Sequence, residues 1–184
     1  MSAQSPFILP ISGLGQGIYE YDLLVDDVFL STFPDTPIRH ANVALRLTVD
    51  KQMRQMTMEF NFSGTARVDC DRCLAAVDFP VADEQQLVVK FSAADDELRE
   101  EGDLVYLNPD ASQFNVAPYA YEMVILALPM IRTFDCRAGS PPYPCDEEML
   151  DRIEDSIEEL PPENEDNRSD DDKPGLWDAL KDLK

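Results

Sequence analysis

The sequence has few of the residue types from which enzyme active sites are usually built. Its 184 residues include one histidine, His40. His40 lies in a predicted loop, where a lone histidine is usually an ordinary surface residue. A glycine-rich phosphate loop, a Gly-x-Ser-x-Gly elbow and a His-Glu-x-x-His motif are all missing. Because no nucleophile is paired with a base in any recognisable pattern, the sequence predicts a protein that is not an enzyme.

Long apolar runs are missing as well. No segment approaches the roughly 18 to 20 apolar residues that a membrane-spanning helix needs, and the first residues carry no basic stretch ahead of an apolar one. The sequence therefore predicts no membrane span and no signal peptide, and we expect a cytoplasmic protein. In the cytosol, paired cysteines are more often metal ligands or redox groups than structural disulfides.

Basic residues are scarce, with 15 Lys and Arg against 37 Asp and Glu, for a net charge of −22 at pH 7. A chain with this charge is repelled at long range by nucleic acid and by anionic lipid. The charge therefore disfavours direct nucleic-acid binding and predicts a basic partner. The alternative is that the acidity serves only solubility.

The acidic residues are concentrated toward the C-terminus and divide the chain into three parts. Residues 1–160 are predicted to form a folded α+β body. Residues 161–173 carry almost no apolar side chain other than proline, which predicts an acidic disordered linker. Residues 174–184 are predicted to form a short amphipathic element.

The terminal element holds the only tryptophan of the chain. Trp177, Leu180 and Leu183 lie at helical spacing on one face, and we treat them as candidate partner-binding residues. An element of this length is not stable alone. It is therefore expected to dock either on its own body or in a groove of a partner.

Alternating apolar residues dominate the first half of the body and predict strands. Residues 42–49 and 56–62 alternate most clearly across a polar turn, which predicts a β-hairpin. Residues 93–103 are predicted to form an acidic surface loop. Further strands are predicted at residues 7–11, 18–25, 65–68, 76–79, 87–91 and 104–107.

Helices are predicted mainly in the second half. Residues 116–130 form the best candidate, with Asn115 as a cap, and residues 147–160 form another. One or two helical turns are expected earlier, at residues 26–33. Sheet first and helix later predict an α+β fold with an antiparallel sheet, either open or barrel-like, one buried helix and C-terminal helices.

The four cysteines of the chain form two separated groups. Cys70 and Cys73 have the spacing at which one tight turn presents two sulfurs to one metal ion. Cys136 and Cys145 follow much later, on either side of a proline-rich run of eight residues. The pattern predicts a structural zinc site formed by all four cysteines, with disulfides, free thiols and a redox pair as the alternatives.

The surroundings of the Cys-x-x-Cys pair disfavour the redox alternative. Reactive pairs usually place the first thiol at a helix N-terminus, which lowers its pKa, whereas Cys73 is followed by strand-like residues. Asp69 and Asp71 flank Cys70 and are expected to raise the pKa of its thiol. A structural role is therefore predicted for the pair.

Several short motifs follow one another along nearly the whole chain. They are Gly13-Leu14 and Gly17 ahead of a Tyr-Glu-Tyr strand, Gly64 ahead of Cys70-Asp71-Arg72-Cys73-Leu74, Val89-Lys90-Phe91, Tyr121-Glu122 with Leu126-Ala127-Leu128-Pro129, and Trp177-Asp178-Ala179-Leu180-Lys181. In this order the motifs resemble the YceD-like family, the large ribosomal RNA subunit accumulation proteins, and most of all its Bacteroidetes branch. The second cysteine group departs from that pattern, because residues 137–144 form an insert and the histidine often found nearby is absent.

The resemblance implies a role in the processing or accumulation of large-subunit ribosomal RNA. It also implies that Cys70, Cys73, Cys136 and Cys145 correspond to the cysteines of the family. Together with the charge, it predicts a non-catalytic factor that binds a basic ribosomal protein or a large-subunit precursor. The alternative is a metal-dependent or redox-active enzyme of RNA metabolism that uses the cysteine cluster.

Overall fold

The computed structural model describes residues 5–93, 98–101, 104–135 and 144–158. The chain divides into two units, Met1–Glu147 and Glu148–Lys184. The first unit contains every described strand, and most of the last helix belongs to the second.

The secondary structure of the described residues begins with a 3₁₀ turn at Ser5–Phe7. The strands are β1 Ile8–Pro10, β2 Gly17–Asp26, β3 His40–Lys51, β4 Gln55–Asp69, β5 Ala76–Phe91, β6 Arg99–Glu101, β7 Leu104–Leu107 and β8 Gln113–Asn115. The helices are α1 Asp27–Leu30, α2 Ala117–Leu126 and α3 Glu147–Glu158. None of these helices is long and apolar enough to cross a membrane.

Six strands form one sheet in the order β2-β3-β4-β5-β7-β6. All neighbours are antiparallel except β5 and β7, which are parallel. The remaining strands, β1 and β8, pair with each other. In the described part of the chain the large sheet is open, with β2 and β6 at its edges, so the predicted α+β class is confirmed and the sheet is not a closed barrel.

The hairpin of β3 and β4 forms the centre of this sheet. Its turn is closed by the Gln52 N–H, which donates to the carbonyl of Gln55 at 2.9 Å. Opposed apolar residues such as Leu47 and Phe60 are fully buried on one face. The hairpin predicted from alternation is confirmed, and both strands are longer than the alternating segments because polar residues continue the same ladder.

A single core joins the buried face of the sheet to β1, β8, α1 and α2. Aromatic rings connect these elements in a row, with centroids 4.4 Å apart for Phe7 and Phe29 and 5.2 Å apart for Phe29 and Phe33. Phe33 in turn stacks on Tyr121 at 4.1 Å. Helices α1 and α2 and strands β1 and β8 therefore pack on the same face of the large sheet.

Strand β5 is continuous where the sequence predicted two separate strands. Its middle section is mostly exposed and polar, with Asp83 and Glu84 in the stretch that interrupts the apolar alternation. This stretch still pairs with β4 residue by residue. The prediction of two separate strands is therefore wrong. The backbone stays paired through a stretch in which the side chains do not alternate, so the side-chain pattern gives no sign of the pairing.

The helices agree with the prediction at their starts better than at their ends. Asp26 caps α1 by accepting the N–H of Phe29 at 2.9 Å, and Asn115 accepts the N–H of Ala117 at 3.0 Å at the start of α2. Helix α2 ends at Leu126 and not at residue 130. Pro129 disfavours helical geometry in the residue before it, which accounts for the early end.

Helix α3 begins where the sequence predicted it. Its described side chains include Leu150, which is buried, and Met149 and Ile153, which are half-buried. The predicted continuation to residue 160 lies outside the described residues.

Candidate functional site

A tight turn carrying Cys70 and Cys73 connects β4 to β5; we call residues 70–75 the cysteine turn. The N–H of Cys70 donates to the carbonyl of Ala75 at 2.8 Å, and the N–H of Leu74 donates to the carbonyl of Cys70 at 2.9 Å. Leu74 adopts a left-handed backbone with φ 60°, a conformation uncommon for a residue with a side chain. These bonds fold the turn back on itself, and both cysteine side chains are buried.

The sulfur of Cys70 is surrounded by hydrogen-bond donors. Burial is the largest single influence and raises the pKa of the Cys70 thiol. The backbone N–H groups of Cys73, Phe134 and Arg72, together with the Cys73 thiol, outweigh it and leave that pKa below its usual value. These hydrogen bonds stabilise the thiolate of Cys70 relative to its thiol, and the thiolate is the form of cysteine that binds a metal ion.

The segment after α2 is fastened to the cysteine turn by three hydrogen bonds between Asp71 and Arg132. The N–H of Asp71 donates to the carbonyl of Arg132 at 2.9 Å. The Asp71 carboxylate accepts the N–H of Arg132 at 2.7 Å and its guanidinium at 2.9 Å. These bonds lower the pKa of Asp71, the backbone N–H of Arg132 being the largest cause. Residues distant in sequence therefore meet at this turn.

The expectation that Asp69 and Asp71 raise the pKa of Cys70 is wrong. Each carboxylate has its own cation, since Asp71 contacts Arg132 and Asp69 lies 2.6 Å from the guanidinium of Arg39. The net shift of the Cys70 pKa is downward, and its causes are hydrogen bonds to the sulfur. The sequence places the aspartates next to the cysteine but does not reveal their partners.

The predicted zinc ligands are placed only in part. Cys70 and Cys73 are free thiols in the same turn, and their buried sulfurs suit a structural metal ion. Cys145 is disulfide-bonded, and Cys136 lies outside the described residues. In the described ranges no group of three or more cysteine, histidine or acidic side chains could hold a metal ion. The four-cysteine zinc site remains a prediction.

The remaining residues singled out from the sequence are the three partner-binding candidates of the terminal element and the lone histidine. Trp177, Leu180 and Leu183 lie outside the described residues, and their role as partner-binding residues remains a prediction. His40 is a half-exposed residue at the start of β3, where its Nδ1 lies 2.6 Å from the carboxylate of Asp27.

A second candidate site, not singled out from the sequence, lies on the sheet face opposite the core; we call it the outer face. It carries the side chains that alternate with the buried ones on β2, β3, β4 and β5. An open groove of about 470 Å³ crosses this face, and its charged lining residues are Asp22, Arg46, Glu59 and Glu84. Among the described residues, the groove therefore presents three carboxylates and one cation.

Arg46, the one cation among the described residues of the groove, is already paired. The guanidinium of Arg46 donates to the carboxylate of Asp22 at 3.0 Å. The Asp22 hydrogen bond and charge, followed by the charge of Glu20, raise the pKa of Arg46. The outer face is therefore acidic in net terms. Strand alternation in the sequence could have indicated this, because Glu20 and Asp22 share one face of β2.

The fold and the site define a small α+β protein with an open, mainly antiparallel sheet and a Cys-x-x-Cys turn whose two cysteine side chains are buried. Residues 58–184 match the family model described as large ribosomal RNA subunit accumulation protein YceD. The chain belongs to this family, as its motifs predicted. No curated protein and no solved structure matches it.

Family membership gives the chain a role in the accumulation of the large ribosomal subunit. The match begins within β4, so it includes the cysteine turn, β5, α2 and all four cysteines. The similarity to the Bacteroidetes branch remains a prediction.

Proposed function

We propose that the protein is a non-catalytic factor of large-subunit biogenesis that acts in the cytoplasm by binding a basic ribosomal protein or a basic assembly intermediate. The family match over residues 58–184 is the observation that carries the proposal. The family match indicates the process in which the protein acts, whereas the charge of the chain indicates that its partner is basic.

The net charge of −22 supports a basic protein as the direct contact. Ribosomal RNA is a polyanion and is repelled by such a chain, whereas the basic proteins that coat it are attracted. The acidic outer face supports the same choice, since Arg46 is the one cation among the described residues that line its groove. The factor thus recognises the protein component of the subunit.

The C-terminal part of the chain contributes in two ways. The acidic linker at residues 161–173 attracts a basic partner over a distance set by ionic strength. Trp177, Leu180 and Leu183 then anchor the contact by burying apolar surface. Because long-range attraction is screened by salt and apolar burial is not, the two contributions separate in a salt titration.

The cysteine turn contributes stability to the body. Cys70 and Cys73 supply two sulfurs of a structural zinc site, and Cys136 and Cys145 complete it when Cys145 is in its reduced form. A bound zinc ion would fasten the turn to the segment that follows α2 and would need no open coordination position.

Affinity capture tests the proposal. The tagged full chain is recovered from its own cells at low and at moderate salt, and bound proteins and RNA are identified together. We expect large-subunit proteins at low salt, with a marked decrease at moderate salt. Recovery that is free of ribosomal material at both salt concentrations would contradict the proposal.

Two matched variants separate the contributions of the tail. A chain ending at residue 160 lacks both linker and terminal element, and we expect it to bind more weakly. A full-length chain in which the acidic residues of 161–173 are replaced by Asn and Gln keeps the length and the apolar anchor. It should show a weaker salt dependence and retain part of the affinity, because the outer face of the sheet stays acidic.

A further inference from the structure

The free edge of β2 is an exposed backbone surface. Strand β2 ends the large sheet, and within the described ranges it pairs only with β3. It runs for ten residues, Gly17–Asp26, and contains no proline and no lysine, two of the features with which edge strands usually discourage pairing. The opposite edge, β6, has only three residues. β2 is therefore the longer and more available of the two edges.

The hydrogen-bond phase of the sheet shows which backbone groups of β2 point outward. Opposed residues of an antiparallel pair alternate between bonded and non-bonded positions. The bond from Gln52 to Gln55 sets this phase and directs the even-numbered residues of β3 toward β4. The odd-numbered residues of β3 then face β2.

The register between β2 and β3 then determines which backbone groups of β2 point toward β3 and which point away from the sheet. Odd residues of β3 lie opposite odd residues of β2, as Val49 lies opposite Tyr19. The N–H and C=O groups of the even residues of β2 therefore point away from the sheet. These residues are Ile18, Glu20, Asp22 and Leu24.

The same four residues carry the exposed side chains of β2. Ile18 is 70% exposed and Leu24 is 47% exposed, and Glu20 and Asp22 lie between them on the outer face. A strand added at this edge would place its own side chains beside two carboxylates and at the mouth of the acidic groove. Its other face would meet the half-buried side chains of Tyr19, Tyr21 and Leu23.

We propose that the free edge of β2 binds an extended basic peptide segment as an additional strand of the sheet. Charge complementarity selects this occupant, since alternate Lys or Arg residues would lie opposite Glu20 and Asp22. A second copy of the chain is disfavoured, because two β2 edges would bring these carboxylates against each other. The inference rests on the proposed function only for the natural source of the peptide.

The partner segment has a recognisable pattern. Basic residues alternate with apolar ones over about six to nine residues, because successive side chains of a strand point to opposite faces. The basic residues lie over the outer face, and the apolar residues cover the tyrosines of β2. Extended basic tails of proteins that bind RNA have the required charge.

Hydrogen exchange with a synthetic peptide tests the proposal on the full chain. The probe is a nine-residue peptide that alternates lysine with valine, and the control alternates glutamate with valine. On binding the lysine peptide, the amides of Ile18, Glu20, Asp22 and Leu24 should become protected. The amides of Tyr19 and Tyr21, which already face β3, should not change. No saturable binding of the lysine peptide, equal binding of both peptides or protection elsewhere on the sheet would overturn the proposal.

N-methylated peptides test the strand geometry without altering the protein. Only one alternate set of peptide amides faces β2, so methylation of that set should reduce affinity at least about tenfold for two or more lost bonds. Methylation of the other set should have little effect. The lysine set is expected to be the sensitive one if the peptide is antiparallel, and the valine set if it is parallel. Equal sensitivity of the two sets would contradict strand addition.

Variants of Glu20 separate backbone pairing from charge. Glu20→Gln removes the charge alone, whereas Glu20→Pro also removes an outward N–H and leaves the ladder to β3 intact. We expect the proline variant to bind the peptide more weakly than the glutamine variant, with circular dichroism confirming that both are folded. Equal affinities of the two folded variants would contradict the proposal.

The outcome is independent of the proposed function. Capture of ribosomal proteins without protection of the β2 amides would contradict this docking site but would support the proposed function. Peptide binding at β2 without ribosomal partners in cells would support the docking site but would contradict the proposed function. Protection of the same amides that depends on protein concentration, without peptide, would identify a second copy as the occupant and overturn the inference.

Discussion

The carboxylate of Asp71 lies 2.7 Å from the backbone nitrogen of Arg132 and 2.9 Å from its guanidinium. Asp71 also donates its own N–H to the carbonyl of Arg132 at 2.9 Å. The two residues are 61 positions apart in the sequence, yet they hold the cysteine turn against the segment that leads toward Cys136.

Replacing Asp71 by asparagine should loosen the cysteine turn. In Asp71→Asn the side-chain amide can accept hydrogen bonds only at its oxygen. The negative charge that attracts the guanidinium of Arg132 is lost as well. We therefore expect Cys70 and Cys73 to react several-fold faster with a thiol reagent in the reduced, metal-free protein. The reaction is followed by absorbance under native conditions.

Asp22→Asn is the matched control for this experiment. It breaks a carboxylate–guanidinium contact of similar length, between Asp22 and Arg46, on the outer face of the sheet. The thiol reaction should be unchanged in this variant. An equal acceleration in both variants would indicate general destabilisation and would contradict a local role for Asp71.

Replacing Cys70 by serine should reduce stability and metal content together. The Cys70 side chain is fully buried, and replacing its sulfur by a smaller and more polar hydroxyl, which is more costly to remove from water, should cost about 1–3 kcal/mol. If the zinc site forms, the reduced wild-type protein should contain about one zinc ion per chain, and Cys70→Ser should contain much less. Denaturant unfolding and elemental analysis measure the two quantities.

The alternative enzymatic role predicts a different result for the same variant. If the cysteines perform chemistry, Cys70→Ser should abolish an activity in RNA metabolism with little change in the free energy of unfolding. A stable, metal-free and fully functional variant would contradict both the structural and the chemical role of the cysteine.

Side-chain alternation was sufficient to predict the central hairpin, because opposed residues such as Leu47 and Phe60 repeat with the period of a strand. Capping by Asp26 was predictable for a similar local reason. Strand β6 and the continuity of β5 were not predictable, because backbone pairing leaves no signal in polar side chains such as Glu84 and Glu100.

The candidate site was predictable to a smaller extent. The spacing of Cys70 and Cys73 predicted a turn with two sulfurs, and the structure confirms that turn. The contact between Asp71 and Arg132 was not predictable, since nothing local in the sequence pairs residues so far apart. Predicting the acidic outer face would have required both the side-chain alternation within β2 and the register of β2 with β3.

Acid should destabilise the protein through specific carboxylates. The pKa of Asp27 is lowered first by the N–H of Ala41 and then by His40, and that of Asp78 is lowered first by a hydrogen bond from Arg67. A carboxylate with a lowered folded-state pKa stabilises the fold above its unfolded-state pKa of about 3.9, and this stabilisation is lost as the pH falls through the folded-state value.

The measurement is the free energy of unfolding by urea between about pH 7 and about pH 2. We expect little change in the upper part of this range and a decrease below about pH 4. Asp78→Asn should be less stable at neutral pH and should lose less stability on acidification. A variant with the same acid dependence as the wild type would contradict a contribution from Asp78.

Gly64 allows two long strands to pair at the centre of the sheet. It lies opposite Val43 in the β3–β4 ladder, and a Cβ atom at this position would lie 2.1 Å from the backbone oxygen of Asn42. Backbone cannot move aside as a flexible side chain can, so Gly64→Ala should destabilise by about 3 kcal/mol, the upper end of the overpacking range. Gly13→Ala is the control, since a Cβ there has no atom within 4 Å, and it should change stability by less than about 0.5 kcal/mol. Urea unfolding of the two variants measures the difference, and equal stabilities would show that the strands separate at Gly64 at little cost.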